Sequence, residues 1–273
     1  MTNVKIIEKK GKLKGPIIVI LAGVHGNEKA GVLAIKNISL KLKLDKGKVI
    51  FIIANLMAFR ENKRFIEKDL NRCFLEQQTL EIENSLEGRT AREIIHFLRN
   101  ADFVLDIHQS NSEKSKPFII CDEKIINLTK FLPISTVTLG WNNFFPGASA
   151  SFVNNCGGKG IAIELGSVKD QNCVVLAEKT IINFLSGLGF IDKKAEEFAE
   201  KEIFKIKKVH RNVNAPFKKF RDFEDFESLV DNCTIGKEGE EVICGDHGDI
   251  ILFVRDRKDL NMECFIALNR ICT

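Results

Sequence analysis

Up to about residue 190 the chain repeats one pattern: a short apolar run rich in β-branched residues, then a stretch with apolar side chains at three- and four-residue spacing. The runs are PIIVILA (16–22), KVIFIIA (48–54), DFVLDI (102–107), PFIIC (117–121), STVTL (135–139) and GIAIEL (160–165). Such continuous runs suit strands buried on both faces, since a strand with one wet face alternates apolar and polar residues. Between them EKAGVLAIKNISLKL (28–42), TAREIIHFLRN (90–100) and NCVVLAEKTIINFLSGL (172–188) carry helical periodicity. Strands alternating with helices predict an α/β fold built on a mostly parallel, doubly wound sheet.

The charged segment DKKAEEFAEKE (192–202) reads as a helical boundary. After it, TIGKEGEEVICGDHGDIILFVRD (234–256) has short alternating runs punctuated by glycines, which suits a small β-rich C-terminal domain. The expected division is therefore 1–198 and 199–273.

Composition narrows the partners. With 41 basic and 37 acidic residues the net charge is +4, too mild to argue for nucleic acid. No stretch approaches the ~20 apolar residues of a membrane span. The segment KKGKLKGPIIVILAGV (9–24) mimics a secretory leader, but its apolar part is short and Pro16 opens it, so it reads as a first buried strand. The eight cysteines form no CxxC pair and sit mostly in apolar contexts such as FIICD and MECFIAL. Reduced, buried thiols of this kind favour a cytoplasmic setting.

In open α/β sheets ligands bind beyond the carboxyl ends of the strands. LAGVHGNEKAG (21–31) places His25 and Glu28 directly after the first apolar run, His108 ends DFVLDIH, and Glu164 lies near the end of GIAIELG. Two histidines and a glutamate match a catalytic zinc site, in which three protein ligands leave a fourth position open for water. His25 and Glu28 alone could be a glycine-rich turn with a helix-capping carboxylate. Asp106 shares a strand face with His108 and could orient its imidazole or be a buried structural carboxylate. Glu164, in so apolar a strand, is either a general base or a strand-end residue turned to solvent. In RENKRFIEKDLNRCF (60–74), Arg64, Asn71 and Arg72 supply the fork and amide that clamp a carboxylate, although the stretch alone would pass for a charged surface loop. His96, His210 and His247 fit structural or solvated positions.

Read in order, GVHGNE, DLNRCF, DIH and AIELG resemble the aspartoacylase and succinylglutamate desuccinylase family, relatives of the zinc carboxypeptidases, over the N-terminal two thirds of the chain. The resemblance implies a zinc hydrolase catalytic domain at 1–198, with one Zn2+ per chain on His25, Glu28 and His108. It implies Glu164 as the base that activates water, Arg64 polarising the scissile carbonyl, and Asn71 with Arg72 holding the carboxylate of the amino-acid half. The implied reaction is hydrolysis of a small anionic N-acyl amino acid; a zinc carboxypeptidase acting on short peptides is the alternative, and homo-oligomerisation is left open. Two departures bear on the substrate. Aspartoacylases also use a tyrosine from the C-terminal domain and an arginine ten residues before the catalytic glutamate. This chain has no tyrosine, and that position is Asn154, with Lys159 the nearest basic residue. A second substrate carboxylate is thus poorly provided for.

Overall fold

The computed structural model describes residues 2–230 and 233–271, so Cys272 lies outside the described residues. The chain forms two compact units, Met1–Val137 with Trp141–Lys201, and Thr138–Gly140 with Glu202–Thr273.

The first unit is an α/β layer structure. Its strands are β1 (Lys5–Lys10), β2 (Leu13–Ala22), β3 (Lys46–Ile53), β4 (Phe103–Ser110), β5 (Phe118–Ile120), the first two residues of β6 (Thr136–Leu139), and β7 (Lys159–Ser167). They lie in the order β1-β3-β2-β4-β7-β5-β6. β2 runs parallel to β3 and β4, and β4 parallel to β7. β1 pairs antiparallel with β3, and β5 antiparallel with β7. The helices are α1 (Ala30–Ser39), α2 (Leu56–Glu61), α3 (Leu80–Asn84), α4 (Leu86–Arg99), α5 (Trp141–Phe144), α6 (Ser149–Asn155) and α7 (Asn172–Gly187), with 3-10 turns at Leu70–Arg72 and Glu123–Phe131.

The apolar runs are continuous because helices cover both faces. Val19, Leu21 and Val104 point to one side, where they cluster with Ile94 and Leu98 of α4 and Phe152 of α6. Ala22 and Ile107, which point to the other side, meet Gly31 of α1. Phe51, fully buried in β3, alone stands for roughly 1.5–3 kcal/mol of transfer free energy.

Two expectations need correction. PIIVILA belongs to the second strand, because Lys5–Lys10 forms β1 at the edge beside β3. Its KIIEKK sequence is at most half-buried, so it lacks the continuous apolar signature of the inner strands. The segment 192–202 is not a helix: it runs irregularly until β8 begins at Glu202. Tertiary hydrogen bonds take its backbone groups instead, with Asn183 bonding both the N–H and the C=O of Glu196, and Phe198 N–H donating to Lys130 O. Helix propensity is a weak prior against such partners.

The second unit is antiparallel β structure. β8 (Glu202–Arg211), β14 (Glu263–Ile271), β13 (Ile250–Leu252) and β10 (Glu227–Ser228) lie side by side in that order. β12 (Glu241–Cys244), β11 (Thr234–Glu238) and β9 (Phe217–Lys219) form a three-stranded sheet. Its core gathers Phe217, Leu229, Ile235, Ile251 and Phe265. His210 stacks on Phe265 with ring centroids 4.9 Å apart, a packing role.

Gly31 sets how closely α1 can approach the sheet. A Cβ there would lie 2.8 Å from Ile107 Cγ2 and 2.9 Å from Ala22 Cβ. Alanine gains about 1 kcal/mol of helix propensity, but overpacking against a β-branched neighbour costs about 1–3 kcal/mol. Gly31→Ala should therefore lower the urea midpoint of unfolding; an unchanged or raised midpoint would show that α1 shifts freely.

Candidate metal centre and its surroundings

The turn after β2 presents His25 and Glu28 just ahead of α1. It lies tight against α2: a Cβ on Gly26 would fall 2.1 Å from the Ala58 carbonyl carbon, so glycine is required. Gln109 fixes the far end of this turn. Its side-chain carbonyl accepts from Ala30 N–H at 2.8 Å, and its own N–H donates to Glu28 Oε2 at 3.0 Å.

His108 lies within β4 one residue before Gln109, directly opposite Glu164 on β7 in the parallel ladder. Among the described residues, His25, Glu28 and His108 form the one group of three whose ligand atoms all lie within 4.8 Å of one another, and all three are buried. Both imidazoles turn the same way. Nδ1 of His108 lies 3.0 Å from Glu28 Oε2, and Nδ1 of His25 lies 2.7 Å from Glu28 Oε1. On the outer side, His25 Nε2 meets Asp69 Oδ1 at 3.0 Å and His108 Nε2 meets Asp106 Oδ2 at 2.9 Å. With Nε2 engaged by an aspartate on the outer side, each ring turns Nδ1 inward, the arrangement that holds metal-ligating histidines. Although Glu28 Oε1 lies 2.7 Å away, buried His25 Nδ1 has no partner of hydrogen-bonding geometry among the described residues. A donor set of two imidazoles and a carboxylate, with that inward nitrogen orphaned, fits a divalent cation.

The same contacts set the charges. Burial alone would raise the Glu28 carboxyl, but His25 and His108 together hold it well below the ordinary carboxylate range. Burial would lower His108, yet Asp106 and then Glu28 outweigh it and hold it well above the usual histidine value. Asp69 is depressed although burial opposes this, because His25, Arg64 and Arg72 surround it. Glu164 is pushed up to about 7 by burial and by the nearby Glu28 charge. Its Oε2 is buried without a hydrogen-bond partner among the described residues.

Arg64 bridges two carboxylates, with Nη1 3.3 Å from Glu28 Oε1 and Nη2 3.2 Å from Asp69 Oδ2. Asn71 and Arg72 lie in the 3-10 turn that Asp69 caps through Asn71 N–H at 2.9 Å. Asn71 Oδ1 accepts from Ser149 N–H at 3.1 Å, which ties the turn to the start of α6 and leaves the amide nitrogen as a donor. The Arg72 guanidinium stacks over Phe145 at 4.9 Å. Asn154 is elsewhere: both of its amide atoms bond the backbone of Gly160, at the start of β7 rather than at the Glu164 end.

Sequence reasoning passed over Asp69, Gln109 and Ser149. Asp69 lies inside DLNR, hidden among charged neighbours, and only its placement 44 residues from His25 reveals its contact. Ser149 donates its hydroxyl to Asp106 across 43 residues, with no sequence signal at all. Together these groups close a ring from Asn71 through Ser149, Asp106, His108, Glu28, His25 and Asp69 back to Asn71.

An α/β domain with a buried His–Glu–His group able to hold a metal ion at the carboxyl ends of its parallel strands is the class that fold and site define. The chain belongs to the succinylglutamate desuccinylase/aspartoacylase family, whose catalytic-domain model matches residues 14–188. It is 28% identical over 163 residues to a probable aspartoacylase of Nostoc sp., covering 55% of each chain. It is 27% identical over 196 residues to an N-acyl-aromatic-L-amino acid amidohydrolase (carboxylate-forming) of Xenopus laevis, covering 64% of this chain and 63% of that one. The chain thus spans about half the length of the Nostoc relative. The fold is shared with succinylglutamate desuccinylase from Vibrio parahaemolyticus, at a TM-score of 0.80 and 18% identity over 98% of this chain and 86% of that one. A succinylglutamate desuccinylase/aspartoacylase from Rhodobacter sphaeroides gives a TM-score of 0.73 at 18% identity, covering 99% and 89%.

Ser149→Ala should cost about 1–3 kcal/mol in chemical denaturation, because the buried Asp106 carboxylate loses its hydroxyl donor. A change below about 0.5 kcal/mol would show that the Ser149 bond is not needed to hold Asp106.

Proposed function

We propose that this protein hydrolyses the amide bond of a small N-acyl amino acid, releasing a carboxylic acid and a free amino acid. One observation carries the reading: the buried His–Glu–His set lies beside an acid, Glu164, that stands opposite His108 with its Oε2 buried and unpartnered among the described residues. His25, Glu28 and His108 would hold one zinc ion per chain, as in zinc carboxypeptidases, and such an ion lowers the pKa of water to roughly 7 and polarises a carbonyl oxygen.

The chain's own residues supply the rest. Glu164 takes a proton from the attacking water, whose oxygen bonds to the amide carbon. It then gives that proton to the departing nitrogen as the C–N bond breaks. A carboxylate with a pKa of about 7 suits both halves of this transfer. Arg64 directs three N–H groups at Glu28 and Asp69, and a guanidinium has five. The remaining two serve the carbonyl oxygen as negative charge develops there. Asn71 Nδ2 and Arg72 bind the substrate carboxylate. With the Asn154 amide engaged by the Gly160 backbone, no guanidinium stands at that position for a second carboxylate, and the preferred amino-acid half is neutral.

Purified protein of known metal content, offered N-acetyl, N-succinyl and longer N-acyl amino acids beside short peptides, should release free amine from the acyl amino acids. Glu164→Gln should abolish turnover. Arg64→Ala should lower kcat on the order of 10²–10³-fold while staying folded. Turnover of peptides alone would replace the deacylase with a carboxypeptidase, and full activity in Glu164→Gln would remove the assigned base.

Metal content gives an independent check. Chelator-stripped protein should take up one zinc ion per chain in equilibrium dialysis, and His108→Ala should lose that uptake. Stoichiometric binding that survives His108→Ala would place the metal elsewhere.

A further inference from the structure

The segment 60–74, which carries Arg64, Asn71 and Arg72, reads in sequence as a charged surface loop. Its middle is held from below. Glu87, in the first turn of α4, is fully buried. Its Oε1 accepts from Ile66 N–H at 2.8 Å and from Asn55 Nδ2 at 3.2 Å. Its Oε2 accepts from Glu67 N–H at 3.1 Å and Lys68 N–H at 3.0 Å. The clasp is reciprocal, because Glu67 Oε2 accepts from Leu86 N–H at the start of α4.

All four donors to Glu87 are neutral amides from outside α4, and the helix is capped separately by Ser85 Oγ accepting from Gly88 N–H. Glu87 is therefore not simply an acid at its own helix N-terminus. A fully buried carboxylate is costly unless its oxygens are filled, so the bonds to 66–68 must persist in the folded state. α4 is itself anchored in the core by Ala91, Ile94 and Leu98. Asn55 adds a second anchor at the end of β3, where it is buried and adopts a left-handed backbone with φ +36.

Arg64 lies two residues before the clasped tripeptide and Asp69 directly after it. We propose that Glu87 is a positioning residue for the reaction: it fixes the 66–68 backbone so that the Arg64 guanidinium reaches the carbonyl oxygen and Asp69 reaches His25. The kinetic arm of its test rests on the deacylase reading above; the exchange arm does not.

The variant is Glu87→Gln, whose amide keeps the size but sets an NH2 against backbone N–H groups. In hydrogen exchange followed by mass spectrometry, amides of 62–72 should exchange at least about tenfold faster, while peptides from β4 and α7 stay unchanged. With the preferred acyl amino acid, kcat should fall roughly 10–10²-fold, the scale of an ångström-sized misplacement, with KM changed far less. Combined with Arg64→Ala, Glu87→Gln should cost clearly less than it does alone, because part of its effect runs through Arg64 and only the rest through Asp69. Losses that multiply in the double variant, near-wild-type kcat in Glu87→Gln, or faster exchange spread through α4 would each overturn the proposal. Should Glu87→Gln fail to fold, Glu67→Ala removes the exposed half of the clasp; it should lower kcat in the same direction, and unchanged exchange at 62–72 would refute the clasp. If wild type releases no amine from any acyl amino acid, the exchange result still decides the clasp, and the failure falls on the deacylase reading alone.

Discussion

The Glu28 carboxylate, held between two buried imidazoles, is the interaction on which the first unit's site depends. It takes contacts from His25, His108, Arg64 and the Gln109 backbone within 3.3 Å. So many charged and polar groups can share a dry space only if every position is set from outside. Asp69 and Asp106 grip the far nitrogens of the two rings, and Ser149 and Asn71 in turn grip those aspartates' surroundings. Removing one member leaves a buried polar atom without its partner, which generally costs more than the bond itself contributes.

The sheet makes this arrangement affordable. Parallel strands end together, so the turn after β2, the end of β4 and the end of β7 fall beside one another without long excursions of chain. The tight approaches at Gly26 and Gly31 let the turn and α1 lie close to that edge. The one long connection with site residues, between β3 and β4, is anchored in the apolar core by Leu70, Phe74 and α4, and buried polar contacts fix the charged stretch between those anchors. That explains how a stretch of strongly charged sequence can be as well placed as the strands.

Legibility followed the kind of physics involved. The inner strands were readable because burial on both faces demands unbroken apolar runs, a demand each run meets by itself. His25, Glu28, His108 and Glu164 were readable because strand-end placement turns sequence position into spatial neighbourhood. β1 was not, since an edge strand needs no such run and KIIEKK resembles a polar terminus. The segment 192–202 misled because its helical composition lost to side-chain and backbone partners supplied by Asn183 and Lys130.

What the sequence by itself determined is the layer architecture and the identity of the chemical groups at the strand ends, because both follow from local periodicity and a general rule of parallel sheets. What only the tertiary structure decided is how those groups are oriented. The pairing of His25 with Asp69, of Asp106 with Ser149 and of Glu87 with the 66–68 backbone joins residues many positions apart, and Asn154 turns out to hold the Gly160 backbone. Hydrogen bonds are directional and short, so their partners are fixed only when the whole domain has closed around them.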